Sequence, residues 1–543
     1  MSDNVPPNSP PPAGPPPGAE YLEQGPGGRV PSGPPRGPGI TRKRALIAGG
    51  SMLGLAVVVG GAFGAYWYLS SGPQPAEALP DTTIAYVSID LDPSGAQKIE
   101  ALRTLKKFPA LADQLDFNTD DDIRQRLFEE FRADLDCPGL DYGDDISPWL
   151  GDRAALAAVD IGETDPAAVF VLQVQDADDA DAGLSKIRDC SSVGAGGWAI
   201  NGDWAVVAET DDIAKTVSDS AEAASLADDD DYQKWTTAAG DQGIVTMYAA
   251  PAAGRYLVEA VDSLSGSMGL GYEPVQPILP DDIRTSIEGF DGAAATIRFD
   301  DGSLEVELAS DPGLAQTSMF AGGNASDVLA RLPDDTAAAV GVGFADGWFG
   351  DLVDAVASQS DGSTSAAELI AQMESDTGLD LPADAETLAG DSAALSFGSD
   401  FDVEVINSGD WSDLPIALAV KGDADAIQAV LAKVQPTLGP WAGTFLDADT
   451  DGDLVVIGPQ APYRDQVLAH GDLGDSAVFK DVVREADRAD AIGFVNFDTG
   501  DWLLNLANGD DRLAQNLEPL SGAGISSWTD DTASHTVLRI TTN

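Results

Sequence analysis

Six short blocks of this sequence recur once each, in the same order, about 250 residues further along the chain. The paired blocks are LPD at 79–81 and 332–334, GDRAALAAVD at 151–160 and GDSAALSFGS at 390–399, VLQVQDADDADAGLSKI at 171–187 and ALAVKGDADAIQAVLAKV at 417–434, GDWAVVA at 202–208 and GDLVVIG at 452–458, LADDDDYQKW at 226–235 and LGDSAVFKDV at 473–482, and GIVTMYAA at 243–250 and AIGFVNFD at 491–498. One match would carry little weight, but a series in one order and at nearly one spacing indicates a duplication. Residues 79–330 and 331–543 are therefore predicted to be two copies of one fold.

Within each copy, apolar runs of strand length alternate with helical segments. In the first copy we predict strands at RAALAAVD and AAVFVLQVQ, a helix at DAGLSKIRDC and a hairpin at AATIRFDDGSLEVELAS. Asp301-Gly302 lies between two alternating apolar runs, which is a strong hairpin signal. Strands joined by short turns predict an α+β lobe for each copy, with a largely antiparallel, twisted sheet packed with helices.

An uncharged apolar run at 45–69 follows a basic cluster at Arg42, Lys43 and Arg44. As a helix it would span about 37 Å, enough to cross a hydrocarbon core of about 30 Å. We therefore predict a single N-terminal transmembrane helix at 42–70 with a basic inner flank, followed by a linker at 71–78. The one-sided basic flank predicts a single-pass plasma-membrane protein with a cytoplasmic N-terminus and an extracytoplasmic C-terminal part.

The region before this run is rich in proline and glycine and poor in large apolar side chains. We expect residues 1–41 to be a disordered cytoplasmic tail with polyproline II character, either a spacer or a ligand for a proline-binding groove. Inside the apolar run, the spacings Gly50–Gly54 and Gly60–Gly64 match the pattern of close helix packing. They leave self-association of the anchor open, although plain glycine richness is the simpler explanation.

Three segments carry a family resemblance. Together with the apolar run, LPDTTIAYVSID, ISPWLGDRAALAAVD and TGLDLPADAETLAGDSAALSFG resemble the DUF3352 family of membrane-anchored bacterial envelope proteins. The resemblance extends over most of 79–543 and rests on structural rather than chemical motifs. It implies an extracytoplasmic, membrane-tethered protein, and it implies no activity and no functional residues.

The charge balance excludes one class of partner. The chain has 91 acidic and 29 basic residues and a net charge of −62. Such a surface repels nucleic acid and anionic lipid headgroups, so we expect no nucleic-acid partner. The acidic side chains either bind cations or form an acidic surface for an envelope partner. The simpler explanation is that they form a solvated exterior that resists aggregation.

Catalytic motifs are absent from the sequence. It contains no G-x-S-x-G, H-E-x-x-H or P-loop pattern. Its two histidines, His470 and His535, lie in different blocks, and we expect them at surface or capping positions. An acid pair of the kind that hydrolases use cannot be singled out among 91 carboxylates, so the question of an enzyme stays open, with a non-catalytic protein favoured.

One segment has partial metal-ligand spacing. In DADTDGD, Asp447, Asp449 and Asp451 occupy positions 1, 3 and 5 of a calcium loop, and Asp453 follows them. Position 12 is Gly458, where the loop requires a glutamate. The repeat also aligns this segment with an ordinary hairpin, so a calcium site and a hairpin turn both remain open, the turn being favoured. No other cofactor is indicated.

Cys137 and Cys190 are the only cysteines of the chain. An even pair in an oxidising compartment favours a disulfide, and neither residue belongs to a C-x-x-C redox motif.

These observations predict a membrane-anchored extracytoplasmic protein of the bacterial cell envelope, most simply a non-catalytic binding or scaffold module that contacts an envelope protein or a glycan. A carrier of a lipid or glycan is the first alternative, and a hydrolase that uses acidic residues without a recognisable motif is the second.

Overall fold

The computed structural model describes residues 73–543 except 91–94, 110–123, 126–127, 130–136, 138, 164, 191–195, 259–280, 301, 315–318, 321–322, 360–364, 401–410, 437–441, 501 and 504–509. The tail predicted at 1–41, the helix predicted at 42–70 and its glycine spacings lie outside the described residues, as does the start of the linker predicted at 71–78.

Strands and helices alternate along the described residues. The strands are β1 Thr83–Asp90, β2 Leu150–Val159, β3 Ala167–Val174, β4 Gly197–Asn201, β5 Trp204–Ala208, β6 Val245–Ala249, β7 Ala293–Asp300, β8 Ser303–Ser310, β9 Ala338–Gly343, β10 Ser392–Phe397, β11 Ile416–Lys421, β12 Ala448–Asp451, β13 Leu454–Ile457, β14 Ala491–Asn496, β15 Leu520–Thr529 and β16 Ser534–Thr542. The α-helices are α1 Gly95–Lys106, α2 Tyr142–Asp145, α3 Ala177–Cys190, α4 Asp211–Ala223, α5 Asp230–Ala238, α6 Asp281–Glu288, α7 Ser326–Leu329, α8 Trp348–Gln359, α9 Ala366–Thr377, α10 Ala383–Ala389, α11 Ala424–Val434, α12 Ala442–Phe445, α13 Ala461–Leu468, α14 Ala477–Val482 and α15 Asp511–Leu517.

All of these strands belong to one antiparallel sheet of 16 strands, in the order β12-β13-β11-β10-β9-β14-β15-β16-β8-β7-β6-β1-β2-β3-β5-β4. The prediction of two lobes, each with a sheet of its own, is therefore wrong. The α+β character and the antiparallel pairing are present, but a single sheet runs through both halves of the chain.

The two halves join where β8 pairs with β16. This pairing runs from Ser534 opposite Ser310 to Thr541 opposite Ser303, so the two strands overlap along their whole common length. Each strand would otherwise end its half-sheet with unpaired N–H and C=O groups. Their mutual pairing satisfies those groups, which is why two half-sheets form one.

The strand order has an internal symmetry. Outward from β8, the first half reads β8-β7-β6-β1-β2-β3-β5-β4, and outward from β16 the second half reads β16-β15-β14-β9-β10-β11-β13-β12. The two series use corresponding strands of the two halves in the same order. An antiparallel contact between corresponding strands β8 and β16 places a pseudo-twofold axis at the centre of the sheet.

Helices cover one face of the sheet on both sides of this axis. In the first half, Val217 of α4 and Trp235 of α5 pack against strand residues such as Tyr86. In the second half, side chains of α13 and α14, among them Phe479, pack against strand residues such as Phe494. We call this covered side the core face.

The opposite face is covered mainly at its two ends. Leu184 of α3 packs there on β5 in the first half, and Ile427 of α11 packs on β11 and β13 in the second half. Nearer the centre of the first half, the cross-strand row Phe170, Leu156 and Val87 remains 42–52% exposed. Helices therefore pack on both faces in both halves, but the opposite face leaves these apolar strand residues exposed.

A disulfide joins Cys137 and Cys190, the pair predicted from the sequence, with an S–S distance of 2.07 Å. Cys137 is fully buried in a cluster with Trp149 and Leu184. The bond therefore ties the segment before α2 to the end of α3.

The predictions of a transmembrane helix, a single-pass topology and a plasma-membrane location are contradicted. Among residues 73–543 as described, every helix is too short or too polar to cross a membrane. The helix α3, for example, has 14 residues, whereas a membrane span needs about 20 apolar ones.

Candidate functional site

Charged side chains interrupt the core face at the centre of the sheet. Arg298 of β7 and Arg539 of β16 both lie directly opposite Glu305 of β8, one on each side. Glu305 and Arg539 are each only 4% exposed. This charged row lies where the two halves meet, between their apolar clusters.

Glu305 is the hub of an ion-pair network. Its carboxylate accepts hydrogen bonds from Arg539 Nη1 at 2.6 Å, from Arg484 Nε at 3.3 Å and from Arg298. Arg298 also donates to Glu307, and Arg539 Nη1 lies 3.4 Å from an oxygen of Asp300. Because Arg484 and Arg539 belong to the second half, these ion pairs link the two halves.

The network holds its members in their charged forms. Burial works against the charge on Glu305, but the hydrogen bond from Arg539 and the positive charge of Arg298 outweigh it and lower the pKa of this carboxyl. Burial likewise opposes the charge on Arg298, and its bonds to Glu307 and Glu305 outweigh that effect and raise its pKa. Both shifts move the pKa of the group away from neutral pH, so neither Glu305 nor Arg298 exchanges protons readily there.

An aromatic pair lies on the other side of the axis. Trp528 of β15 is directly opposite His535 of β16, and the two rings stack with centroids 5.1 Å apart and an interplanar angle of 8°. The Arg488 guanidinium lies 5.3 Å from the Trp528 ring. The carboxylate oxygen Oδ2 of Asp530 lies 3.4 Å from His535 Nε2. Hydrogen bonds from Thr532 lower the pKa of the Asp530 carboxyl to about 2.

These groups surround a cavity of 880 Å³, which we call the central cleft. Its floor is formed by the β7–β8 and β15–β16 hairpins. One wall is residues 237–242, at and after the end of α5, and the other is residues 484–488, which follow α14. The two walls are corresponding segments of the two halves, so the cleft lies on the pseudo-twofold axis.

Several buried polar atoms beside the cleft have no hydrogen-bond partner among the described residues. They are Trp528 Nε1, His535 Nδ1 and Arg539 Nε. Two of the three are N–H donors, and an unpaired buried donor costs about 1–3 kcal/mol. Trp528 and His535 also line the cavity, and a hydrogen-bond acceptor in this part of the cleft would suit the Trp528 N–H.

Comparison with known proteins bears mainly on another part of the chain. Residues 52–197 match the model of a family described as "Protein of unknown function (DUF3352)". The chain resembles the DUF3352 family. This confirms the resemblance predicted from the sequence, over a shorter range than expected. The match includes the disulfide and β1–β3, but of the residues that line the cleft it contains only Glu100.

The other comparisons add no functional information about this DUF3352-like chain. No curated protein matches it. The solved structure "Crystal Structure of Prenyltransferase PriB Apo Form" aligns with 87% of this chain and 84% of that chain at 12% identity. Its TM-score is 0.09, which is too low to support an argument about fold or function.

The four aspartates of the predicted calcium loop lie on the β12–β13 hairpin of the DUF3352-like chain. Asp449 accepts a hydrogen bond from Arg464 Nε at 2.7 Å, and Asp451 lies 3.6 Å from His470 Nε2. Gly452 takes a φ of 62° in the turn before Asp453. Within the described part of the chain, no group of three or more His, Cys, Asp or Glu residues is placed to hold a metal ion.

We expect Ca²⁺ at about 1 mM to leave the melting temperature of the protein unchanged, because Arg464 already neutralises Asp449 and position 12 offers no carboxylate. Differential scanning calorimetry with Ca²⁺, with Mg²⁺ and with chelator tests this. A stabilisation by Ca²⁺ that the Asp451→Asn variant abolishes would restore the calcium site.

The two histidines have different environments. His470 follows α13 with a φ of 55° and is half exposed, in agreement with the expected capping position. The expected surface position of His535 is wrong, because its side chain is 12% exposed and stacks on Trp528. Sequence reasoning also missed Arg298 and Glu305. The sequence does indicate them: in the strand segments IRFD and LEVEL, charged residues occupy every second position, which places them on one face of the sheet.

Proposed function

We propose that this chain is a non-catalytic binding module and that the central cleft is its ligand site. The observation that carries this proposal is a cavity of 880 Å³ whose lining includes Trp528 and His535, each of which has a buried polar atom without a partner among the described residues. This volume falls in the range of about 300–1,000 Å³ that is typical of small-molecule sites. Membrane anchoring and a cell-envelope location form no part of the proposal.

The electrostatics of the cleft favour binding over catalysis. A general acid or base works best with a pKa near the pH of the reaction. In the cleft, the pKa values of Glu305 and Asp530 are lowered and that of Arg298 is raised, so each shift fixes a charge. Such groups recognise polar ligands well, but they transfer protons poorly at neutral pH. This argument also counts against the hydrolase alternative.

The same lining disfavours a lipid as the ligand. An alkyl chain in the cleft would remove water from the half-exposed guanidinium groups of Arg484 and Arg488 without replacing its hydrogen bonds. Removing water from charged groups without compensation is costly. A polar ligand, a glycan included, avoids this cost.

The arrangement of the cleft also supports a tandem duplication. We infer that 79–330 and 331–543 are diverged copies of one unit, joined edge to edge through β8 and β16 as two subunits of a dimer would be. The matching strand orders support this inference. An experimental structure in which the two halves differ in strand order would contradict it.

A substitution that fills the cleft tests the binding function. Thr237 is an exposed residue at the end of α5 that lines the cavity, and Thr237→Trp would occupy part of it. Gln233→Trp, on the same helix and outside the cavity lining, is the matched control. Thermal denaturation is measured with amino acids, short peptides, polyamines, disaccharides and nucleotides. We expect at least one class to stabilise the wild type and Gln233→Trp but not Thr237→Trp.

Two results would reject the proposed function. One is that no class of compound stabilises the wild type, or that stabilisation persists in Thr237→Trp. The other is that mass spectrometry finds the stabilising compound converted during incubation with the protein, which would make the cleft an active site.

A further inference from the structure

We propose that the ligand of the central cleft is a small zwitterion, such as a short peptide with free ammonium and carboxylate termini. This inference rests on the proposed function and assigns the chemistry of the ligand. Its basis is that the two walls of the cleft carry different charges.

The first-half wall is acidic. Asp241 of this wall and Glu100 of α1 both line the cavity, and neither forms an ion pair with a basic side chain among the described residues. Beside Asp241, Gly240 has a φ of 80°, and a Cβ atom there would lie 2.1 Å from Glu307 Oε2. The missing side chain therefore leaves room for the Glu307 carboxylate at this wall. An ammonium group at this wall would meet carboxylates whose charge is not fully compensated.

The second-half wall supplies donors. The side chains of Arg484 and Arg488 are 39% and 51% exposed. The ion pairs of Arg488 with Glu485 and Asp530 have N–O distances of 3.7 Å, longer than charge-assisted hydrogen bonds of about 2.7–2.9 Å. Its guanidinium therefore retains capacity for a carboxylate of a ligand. Trp528 Nε1, in the same part of the cleft, is a further donor without a partner.

Ligands with one kind of charge fit this arrangement less well. A simple cation would satisfy Asp241 but leave the Trp528 donor without an acceptor and add nothing to the long ion pairs of Arg488. A simple anion would satisfy those donors but approach Asp241, Glu100 and a protein of net charge −62. A zwitterion is neutral overall, so the field of the protein does not oppose its entry, and it pairs with both walls.

Four probes with one backbone separate these possibilities. They are triglycine, N-acetyl-triglycine, triglycine amide and N-acetyl-triglycine amide, which carry both charges, only the negative one, only the positive one and neither. Isothermal titration calorimetry with the full chain gives their dissociation constants. We expect triglycine to bind at least about tenfold more tightly than each capped form, the effect of one charge-assisted contact.

Two variants locate the charges. In Asp241→Asn, we expect the advantage of triglycine over N-acetyl-triglycine to disappear, while the affinity for N-acetyl-triglycine does not fall. In Arg488→Gln, we expect the advantage of triglycine over triglycine amide to disappear. Both residues are outside the buried ion network, and a thermal melt verifies that each variant is folded. Thr237→Trp should lose binding of triglycine altogether.

Several outcomes would overturn the inference. Equal affinity for the four probes, tighter binding of a singly charged form, or advantages that persist in both variants would each exclude zwitterion recognition. If triglycine does not bind while a disaccharide or polyamine stabilises the wild type but not Thr237→Trp, the zwitterion is wrong and the proposed function stands. If nothing binds, both fail.

Discussion

Replacing Glu305 by glutamine is expected to lower the free energy of unfolding by about 3–5 kcal/mol, the usual cost of removing one partner from a buried ion pair. Glutamine keeps the shape and an acceptor oxygen but removes the charge. Arg539, with a side chain only 5% exposed, would then lose its buried anionic partner, and Arg298 would keep only Glu307. Denaturation by urea, followed by tryptophan fluorescence, measures the loss without the ionic screening that guanidinium would add.

Glu307→Gln is the matched control. Glu307 is two residues along the same strand and has one described guanidinium partner, Arg298, which would keep its bond to Glu305. We expect a loss of about 1 kcal/mol, in the range of a single net hydrogen bond. Equal losses for the two variants, or a loss below about 1 kcal/mol for Glu305→Gln, would show that Glu305 is not the hub of the network.

The contribution of Glu305 to the free energy of unfolding also depends on pH and decreases as the pH falls. Its pKa in the folded protein is below the ordinary value of 4.5, so ionised Glu305 stabilises the fold fully above that value. This stabilisation is lost as the pH falls below 4.5 and through the lowered folded pKa. The difference in stability between wild type and Glu305→Gln should therefore be larger at pH 7 than at pH 3. A difference that does not change with pH would exclude an ionised Glu305.

Local features of the fold could be predicted because they depend on neighbouring residues. Gly202 and Gly302 take φ values of 55° and 75° in the β4–β5 and β7–β8 hairpins, where the sequence places asparagine-glycine and aspartate-glycine pairs. The disulfide pairing followed from there being only two cysteines. In each case the residues themselves limit the possible structures.

The continuity of the sheet could not be predicted in this way. It depends on β8 pairing with β16, two strands separated by more than 200 residues whose apolar patterns fit a sheet edge as well as a sheet centre. Recurring blocks predict a repeated fold, but they do not determine whether the copies form separate sheets or one. The pairing of the two edges decides this.

The cleft was missed for a related reason. In the strand SLEVELAS, alternation suggests that the leucines face the core, yet Glu305 is 4% exposed and Leu308 is 39% exposed. Charged residues occupy the core face because Arg298, Arg484 and Arg539 surround Glu305 there. Those arginines come from three separate segments, so the compensation is visible only in three dimensions.

Loss of the disulfide should have an effect of similar size in a different part of the molecule. Cys137 and Cys190 are 53 residues apart, and the chain-entropy model gives roughly 4 kcal/mol for a loop of about this length. We expect the Cys137→Ala, Cys190→Ala double variant to lose about that amount. Alanine is preferred to serine because Cys137 is fully buried among apolar side chains. Urea denaturation of the variant and of the wild type, each with and without reductant, measures the effect.

Hydrogen exchange locates this effect. Amides of α3 and of the neighbouring β4 should exchange faster in the double variant, because the disulfide fixes the end of α3 beside the segment before α2. The β12–β13 hairpin at the opposite edge of the sheet serves as an internal control, since it is far from both cysteines in the strand order and should be unaffected. Reductant should destabilise the wild type as much as the double substitution does and should leave the double variant unchanged. Recovery of two free thiols from protein folded under oxidising conditions, or an equal acceleration of exchange at both edges, would contradict the prediction.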